Sequence, residues 1–177
     1  MSRTLYLIVC GAGVAQDVSQ LVDSALDKGW DTYVIPTPSA VDFIDVPTME
    51  ARTGHPVRSR YRKPGEAGKL PHADAVIVAP ATYNTINKWS SGTSDTFALG
   101  LLAEMTGLGV PTVVLPFVNT ALAANRVYQE SLQRLSAWGI AVLTDQVGNA
   151  PHPPGTGGSA AETFPWDAAL PHLERGR

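Results

Sequence analysis

From Thr4 to Cys10 the chain is an unbroken apolar run, TLYLIVC, and it stops abruptly at Gly11-Ala12-Gly13. A run without polar alternation is the pattern of a strand covered on both faces, as in a parallel sheet sandwiched between helices. Residues 15–29 then place Val18, Leu21, Val22, Ala25 and Leu26 at helical spacing, with Gly29 as the stop. The alternation recurs. Asp31 to Pro36 reads as a second strand, and Ala73 to Ala79 and Val110 to Phe117 read as two more, each followed by a stretch of helical period. Ala141 to Thr144 closes the series. Strands alternating with helices predict an α/β fold, a doubly wound parallel sheet in three α/β/α layers joined by right-handed crossovers.

A chain of 177 residues suits one domain across 1–177, and its 44% apolar and 16% charged residues are the balance of a core-forming protein rather than a disordered one. The formal charge of −3 gives no basic footprint for nucleic acid, and the cluster Arg52, Arg58, Arg60, Arg62, Lys63 reads as a local solvated face. The apolar run after Met-Ser-Arg-Thr is too short to span a membrane and lacks a signal-peptide cleavage pattern, so the protein is expected in the cytoplasm without a membrane partner. Cys10 is the only cysteine, which excludes an internal disulfide and a cysteine-built metal site. Within an apolar strand it is expected to pack. Residues 145–161, DQVGNAPHPPGTGGSAA, concentrate Pro, Gly and small polar side chains and are expected to form a long loop with no helix or strand of its own. Residues 162–177 carry enough apolar positions for one short terminal helix.

In open α/β sheets the ligand lies beyond the carboxyl ends of the strands, where strand order reverses. Four strand ends therefore matter: Gly11-Ala12-Gly13, Thr37-Pro38-Ser39-Ala40, Pro80-Ala81-Thr82-Tyr83-Asn84-Thr85, and Pro116-Phe117-Val118-Asn119-Thr120. Each is rich in small, hydroxyl or amide residues and stands where a helix begins, so backbone N–H groups and the helix dipole can meet a phosphate. Plainer readings exist for each. The glycine turn is not a full G-x-G-x-x-G, because position 16 is Gln16. Ser39, Thr82 and Asn119 also suit ordinary helix N-caps. Asn84 and Thr85 fall inside a helical stretch, where propensity does not call for them.

The block ADAVIVAPATYNTINKWSSGTSD, Ala73 to Asp95, resembles the P-A-S-A-N-T segment of the flavin-dependent cysteine decarboxylases, the family of the lantibiotic and phosphopantothenoylcysteine decarboxylases. The likeness covers Pro80-Ala81, Asn84-Thr85 and Gly92-x-x-Asp95, and extends to LPFVN, similar to P-x-M-N-x-x-M-W, and to TPSAVDFI after the second strand. It implies a flavodoxin-like, Rossmann-like fold, FMN held between subunits, and a homotrimer or homododecamer. Trp89 and the apolar stretch Phe97 to Met105 would then lie at a subunit contact. The implied chemistry oxidises a cysteine thiol on a small molecule or a peptide C-terminus, with hydride passing to FMN and CO₂ leaving.

By matching position, Gly11, Ala12, Gly13, Thr37, Ser39, Pro80, Ala81, Thr82, Asn84, Thr85, Ser94 and Asp95 would contact FMN, and Asn119 the substrate carboxylate. Three positions depart from the pattern: Val118, Leu122 and Ala123 stand where the family has Met, Met and Trp. The family's catalytic His, counted back from Pro80 without gaps, falls on Glu66, with His55 and His72 nearby but out of register. The longer members' cysteine-bearing loop has no counterpart in 145–161. Two classes follow: an FMN-dependent oxidoreductase or oxidative decarboxylase, and a non-catalytic flavin-binding subunit that acts through a partner. The related flavin prenyltransferases would call for more arginine near the strand ends.

Overall fold

The computed structural model describes residues 3–66 and 68–174. Five strands, β1 (Arg3–Val9), β2 (Trp30–Pro36), β3 (Ala75–Ala81), β4 (Thr112–Pro116) and β5 (Ala141–Val142), form one sheet in the order β2-β1-β3-β4-β5. Every pairing is parallel. The helices are α1 (Ser19–Asp27), α2 (Val46–Thr53), α3 (Tyr83–Ser90), α4 (Phe97–Gly107), α5 (Thr120–Ala123), α6 (Arg126–Ala137), α7 (Gly157–Ala161) and α8 (Ala169–Glu174).

The apolar runs behave as their composition requires. Leu5, Leu7 and Val9 of β1 pack with α1, α2 and α8, whereas Tyr6, Ile8 and Cys10 face α3, α4 and α6. Because side chains alternate across a strand, only a run apolar at every position can serve two cores. This is the expected three-layer, doubly wound sheet, of flavodoxin type. Among the described residues no helix is long and apolar enough to cross a membrane.

Several boundaries shift. The helical stretch foreseen at 15–29 splits into a 3-10 turn, Gly13–Asp17, and α1, and Gly29 adopts φ 77° just beyond it, where a glycine meets no steric penalty. Residues 145–161 are not the structureless loop their composition predicts. They hold a 3-10 turn at Asp145–Val147, a single parallel bridge from His152 to Asn119, and helix α7, which packs on the 13–17 turn. Tertiary contact outweighs the poor helix propensity of Gly157 and Gly158. The expected terminal helix is α8, preceded by a 3-10 turn at Trp166–Ala168; residues 175–177 lie outside the described residues.

The apolar helix α4 also has a different explanation from the one its sequence invites. Phe97, Ala98, Leu99, Leu101, Leu102 and Met105 are buried within the chain itself, as is Trp89, whose indole N–H donates to Thr106. Their apolarity is accounted for by the core on that face of the sheet and does not by itself call for a subunit contact.

Candidate functional site

In the order β2-β1-β3-β4-β5 the chain winds in opposite directions from β1 and β3, so the topological switch point lies between the carboxyl ends of those two strands. Backbone bonds fix this crevice. Cys10 N–H donates to Pro80 at 3.1 Å, Thr37 N–H to Val9 at 2.8 Å, and Phe117 N–H to Ala81 at 2.8 Å. The register between β3 and β4 is irregular between Val78 and Ala81, and the strand end carries Pro80 and Ala81 into the turn before α3.

Gly11 is required by close approach. A Cβ built there would lie 2.9 Å from Ser39 Oγ and 3.0 Å from the Ser39 carbonyl carbon and oxygen. The two turns after β1 and β2 therefore touch backbone to backbone, leaving Ala12 and Gly13 at the rim. Ser39 sits inside the 3-10 turn Pro38–Phe43 rather than at its cap, which is Thr37, and the two hydroxyls lie 3.4 Å apart.

At the start of α3, Thr82 is the N-cap and accepts from Thr85 N–H. Thr85 is buried, and its hydroxyl accepts from Cys10 Sγ at 3.3 Å and from Thr82 Oγ1 at 3.2 Å. Burial pushes the Cys10 thiol up, which favours its protonated form. Cys10 is the packing residue its strand position predicts, and Thr85 ties β1 to α3 rather than opening outward. Asn84, one residue earlier on the same turn, is exposed.

Not all the expected residues meet. Ser94 and Asp95 lie past the far end of α3 from Thr82, about 12 Å along an eight-residue helix. Asp95 there pairs with Lys88. Glu66 belongs to the connection between α2 and β3, where its carboxylate accepts from Lys63 N–H and pairs with Arg60. Those two contacts hold it below the usual carboxylate range, a poor setting for a proton acceptor. Of the two histidines considered earlier, His55 stacks on Tyr33 and bonds Asp31, and His72 Nδ1 bonds the Ala73 carbonyl.

The end of β4 carries the second half of the site. Asn119 is the N-cap of α5, its Oδ1 accepting from Leu122 N–H at 2.9 Å, which leaves its NH₂ donors free of that role. Beside it, the 145–161 segment returns: Thr120 N–H donates to His152 at 2.8 Å and His152 N–H to Val118 at 3.3 Å. Asn149 is buried and its amide donates to both Pro116 and Leu143 carbonyls, at 2.8 and 3.0 Å. His152 and Asn149 escaped sequence reasoning because they reach the site through a return of the chain; no motif or period marks them.

Among solved structures, the fold resembles the cypemycin decarboxylase CypD (TM-score 0.70, 19% identity, 99% of this chain and 96% of that one). It also resembles the FMN-dependent cysteine decarboxylase SpaF (TM-score 0.68, 21% identity, 93% and 95%). At those identities the likeness speaks for the fold. In sequence, the chain is 27% identical over 139 residues to the coenzyme A biosynthesis bifunctional protein CoaBC of Vibrio cholerae serotype O1, covering 75% of this chain and 34% of that protein. It thus spans about a third of the length of that relative. It is 26% identical over 145 residues to the probable phosphopantothenoylcysteine decarboxylase of Streptococcus mutans serotype c, covering 78% and 80%. The family model described as Flavoprotein matches residues 1–161, and the chain belongs to the Flavoprotein family.

Proposed function

We propose that the chain binds FMN across the carboxyl ends of β1 and β3 and works in the cytoplasm as an FMN-dependent oxidoreductase of oxidative-decarboxylase type. The substrate class is a cysteine-derived thiol carboxylate, free or at a peptide C-terminus. The observation that carries the reading is the meeting of family and topology: in a Flavoprotein-family chain, the switch point of a 2-1-3-4-5 sheet falls on the Gly11 and Thr82 turns. Flavodoxin, which has this strand order, takes FMN at that crevice. The names of two structural relatives, an FMN-dependent cysteine decarboxylase and an FMN binding protein, support FMN over FAD. So does the incomplete glycine turn, in which Gln16 stands where a dinucleotide-binding G-x-G-x-x-G has its third glycine.

The residues fit such a group. A Cβ at position 11 would meet Ser39 at 2.9–3.0 Å, so the glycine lets the β1 and β2 turns close on one another and sets the Gly11-Ala12-Gly13 backbone beside Ser39 at the crevice. Gly11, Ala12 and Gly13 would offer backbone N–H groups, Ser39 and Thr82 hydroxyls, and Asn84 its amide, while Thr37, Pro80 and Ala81 shape the walls. Thr85 would act from behind, by holding Thr82. Bound flavin supplies the acceptor for the hydride lost by the thiol-bearing carbon. Asn119 would orient the carboxylate through its amide NH₂ without adding charge. Ser94 and Asp95 would contact a flavin held by a neighbouring copy, in a homotrimer or homododecamer, and Glu66 would stand there at the position of the family's catalytic His.

The purified protein is expected to be yellow, with FMN as the chromophore identified by mass. A colourless protein that takes up no FMN in titration overturns the reading. Cysteine-ended peptides should then bleach the flavin and lose CO₂ and H₂ by mass. The replacement of Met, Met and Trp by Val118, Leu122 and Ala123 favours a second reading, a flavin-binding subunit without catalysis. That reading holds if FMN is bound and no such peptide reduces it.

A further inference from the structure

Beyond the end of β4 lies a cavity of about 240 Å³, enclosed by Phe117, Tyr128, Asn149, His152 and Phe164. It is separate in the chain from the β1 and β3 turns assigned to the flavin, and none of its lining residues belongs to the flavin contacts proposed above. Four rings, Phe117, Tyr128, His152 and Phe164, stand in its walls. Phe117 meets His152 at 4.9 Å and Phe164 edge-on at 5.7 Å between ring centres, and Tyr128 is buried and stacked on Tyr83.

The charge of the lining is one-sided. Asp145 contributes a carboxylate, and among the described residues no lysine or arginine lines the cavity. A phosphate or a second carboxylate entering it would meet a like charge at Asp145 and no lysine or arginine of the lining to offset it.

His152 is tied at both its backbone and its ring. Its backbone is clamped on both sides, to Val118 and Thr120, and its ring Nδ1 lies 3.0 Å from the Pro153 carbonyl. A carbonyl only accepts, so this contact favours the tautomer with hydrogen on Nδ1, in which Nε2 is the acceptor. Gly157 stands at that edge of the ring: a Cβ there would lie 3.9 Å from Nε2 and 3.6 Å from Cε1.

We propose that this cavity is a binding site for an uncharged group with an apolar body and a donor hydrogen, such as an amide, with His152 Nε2 as the acceptor. In the flavin reading, on which only this role rests, the group is the part of the substrate next to the carboxylate held by Asn119. His152 then selects neutral substrates over phosphorylated ones.

Benzamide and phenyl phosphate make a matched pair of probes, one neutral with N–H donors and one anionic. Binding to the full chain is followed through the ¹⁵N shifts of the His152 ring, with flavin content recorded separately by absorbance. Benzamide should bind at least tenfold more tightly than phenyl phosphate and move the Nε2 resonance. His152→Phe keeps an aromatic ring against Phe117 and should weaken benzamide about tenfold, the size of one lost hydrogen bond, with flavin content unchanged. Binding to that variant is read from backbone amide shifts. Gly157→Ala, which places a methyl group against the Nε2 edge, should weaken it several-fold while the Nδ1–H tautomer persists. Equal or tighter binding of phenyl phosphate overturns the proposal, as does unchanged benzamide affinity in both variants. A protein that binds no flavin yet discriminates the probes in this way defeats the functional reading and leaves the site standing.

Discussion

At the carboxyl ends of β1 and β3 the site is made by residues that follow their strands immediately, and the side chains there are locked into one another: Gly11 against Ser39, and Cys10 and Thr82 on the Thr85 hydroxyl. At the end of β4 the strand stops at Pro116, and what completes the site arrives some thirty residues later, when Asn149 and His152 come back to bond its carbonyls and amides. The first region is a set of local turns on a buried platform. The second is a seam between distant segments, and its integrity depends on a few polar side chains. Stability and ligand binding should therefore respond differently in the two regions.

The sharpest break is expected at the seam. Asn149→Ala removes two donors from buried carbonyls of Pro116 and Leu143, and each unpaired group costs about 1–3 kcal/mol, so a loss of about 3 kcal/mol is expected in denaturant unfolding. Asn149→Asp keeps the shape but offers no donor and should lose nearly as much. A loss below about 1 kcal/mol would show that the returning segment is not what holds the β4 end.

In the turn region the leading variant is Gly11→Ala. Its methyl would press on the backbone of Ser39 at 3.0 Å, a contact that cannot relax by moving a flexible side chain. Overpacking of this kind costs about 2 kcal/mol, and FMN occupancy should fall with it because the cradle itself is displaced. Retained flavin in a destabilised Gly11→Ala protein would separate the cradle from the cofactor.

Cys10 gives a smaller, pH-dependent signature. Burial raises its thiol above the ordinary value, so between about pH 8.5 and the folded-state value the unfolded chain releases a proton that the folded chain keeps. Stability from this group is fully present below about pH 8.5 and falls as pH rises, by about 1.4 kcal/mol per unit. Over the first pH unit above about 8.5, wild type should lose up to about 1 kcal/mol more stability than Cys10→Ala, because the unfolded thiol is only half ionised at the start of that interval. Parallel curves for the two proteins would mean the thiol ionises in place. Tyr6, buried and pushed up to about 12, acts the same way at higher pH and is common to both.

What the sequence discloses follows the same division. The runs TLYLIVC and ADAVIVA announce buried parallel strands because every position must be apolar when both faces are covered, and the turns after them are read from the residues at hand. Thr82 as a cap, the packed Cys10 and the family likeness were all legible there. Two things were not. Helix α7 and the bridge of His152 to Asn119 lie in a segment whose Gly and Pro content argues for a loop, and they form because other parts of the chain are placed to receive them. The sheet-facing burial of Phe97, Ala98, Leu99, Leu101, Leu102 and Met105 was not legible either, since an apolar helix looks the same whether its partner is its own sheet or another subunit.

Asn119 stands where the two regions meet in function, and it carries the smallest predicted change in stability. Its Oδ1 caps α5 by accepting from Leu122 N–H, so Asn119→Ala should cost about 1 kcal/mol. Asn119→Asp keeps the acceptor, and because Asp caps as well as Asn, its stability should stay within about 0.5 kcal/mol of wild type. The same change replaces the NH₂ donors by a second oxygen with negative charge. If the amide orients a substrate carboxylate, two like charges then face each other, and substrate-induced flavin reduction should disappear while FMN occupancy, which depends on the β1 and β3 turns, remains. Absorbance gives occupancy, anaerobic titration with a cysteine-ended peptide gives reduction, and unfolding gives stability, all on one preparation. Loss of FMN from a folded Asn119→Asp protein would place Asn119 on the cofactor side of the division. Unimpaired reduction would leave it as a helix cap alone.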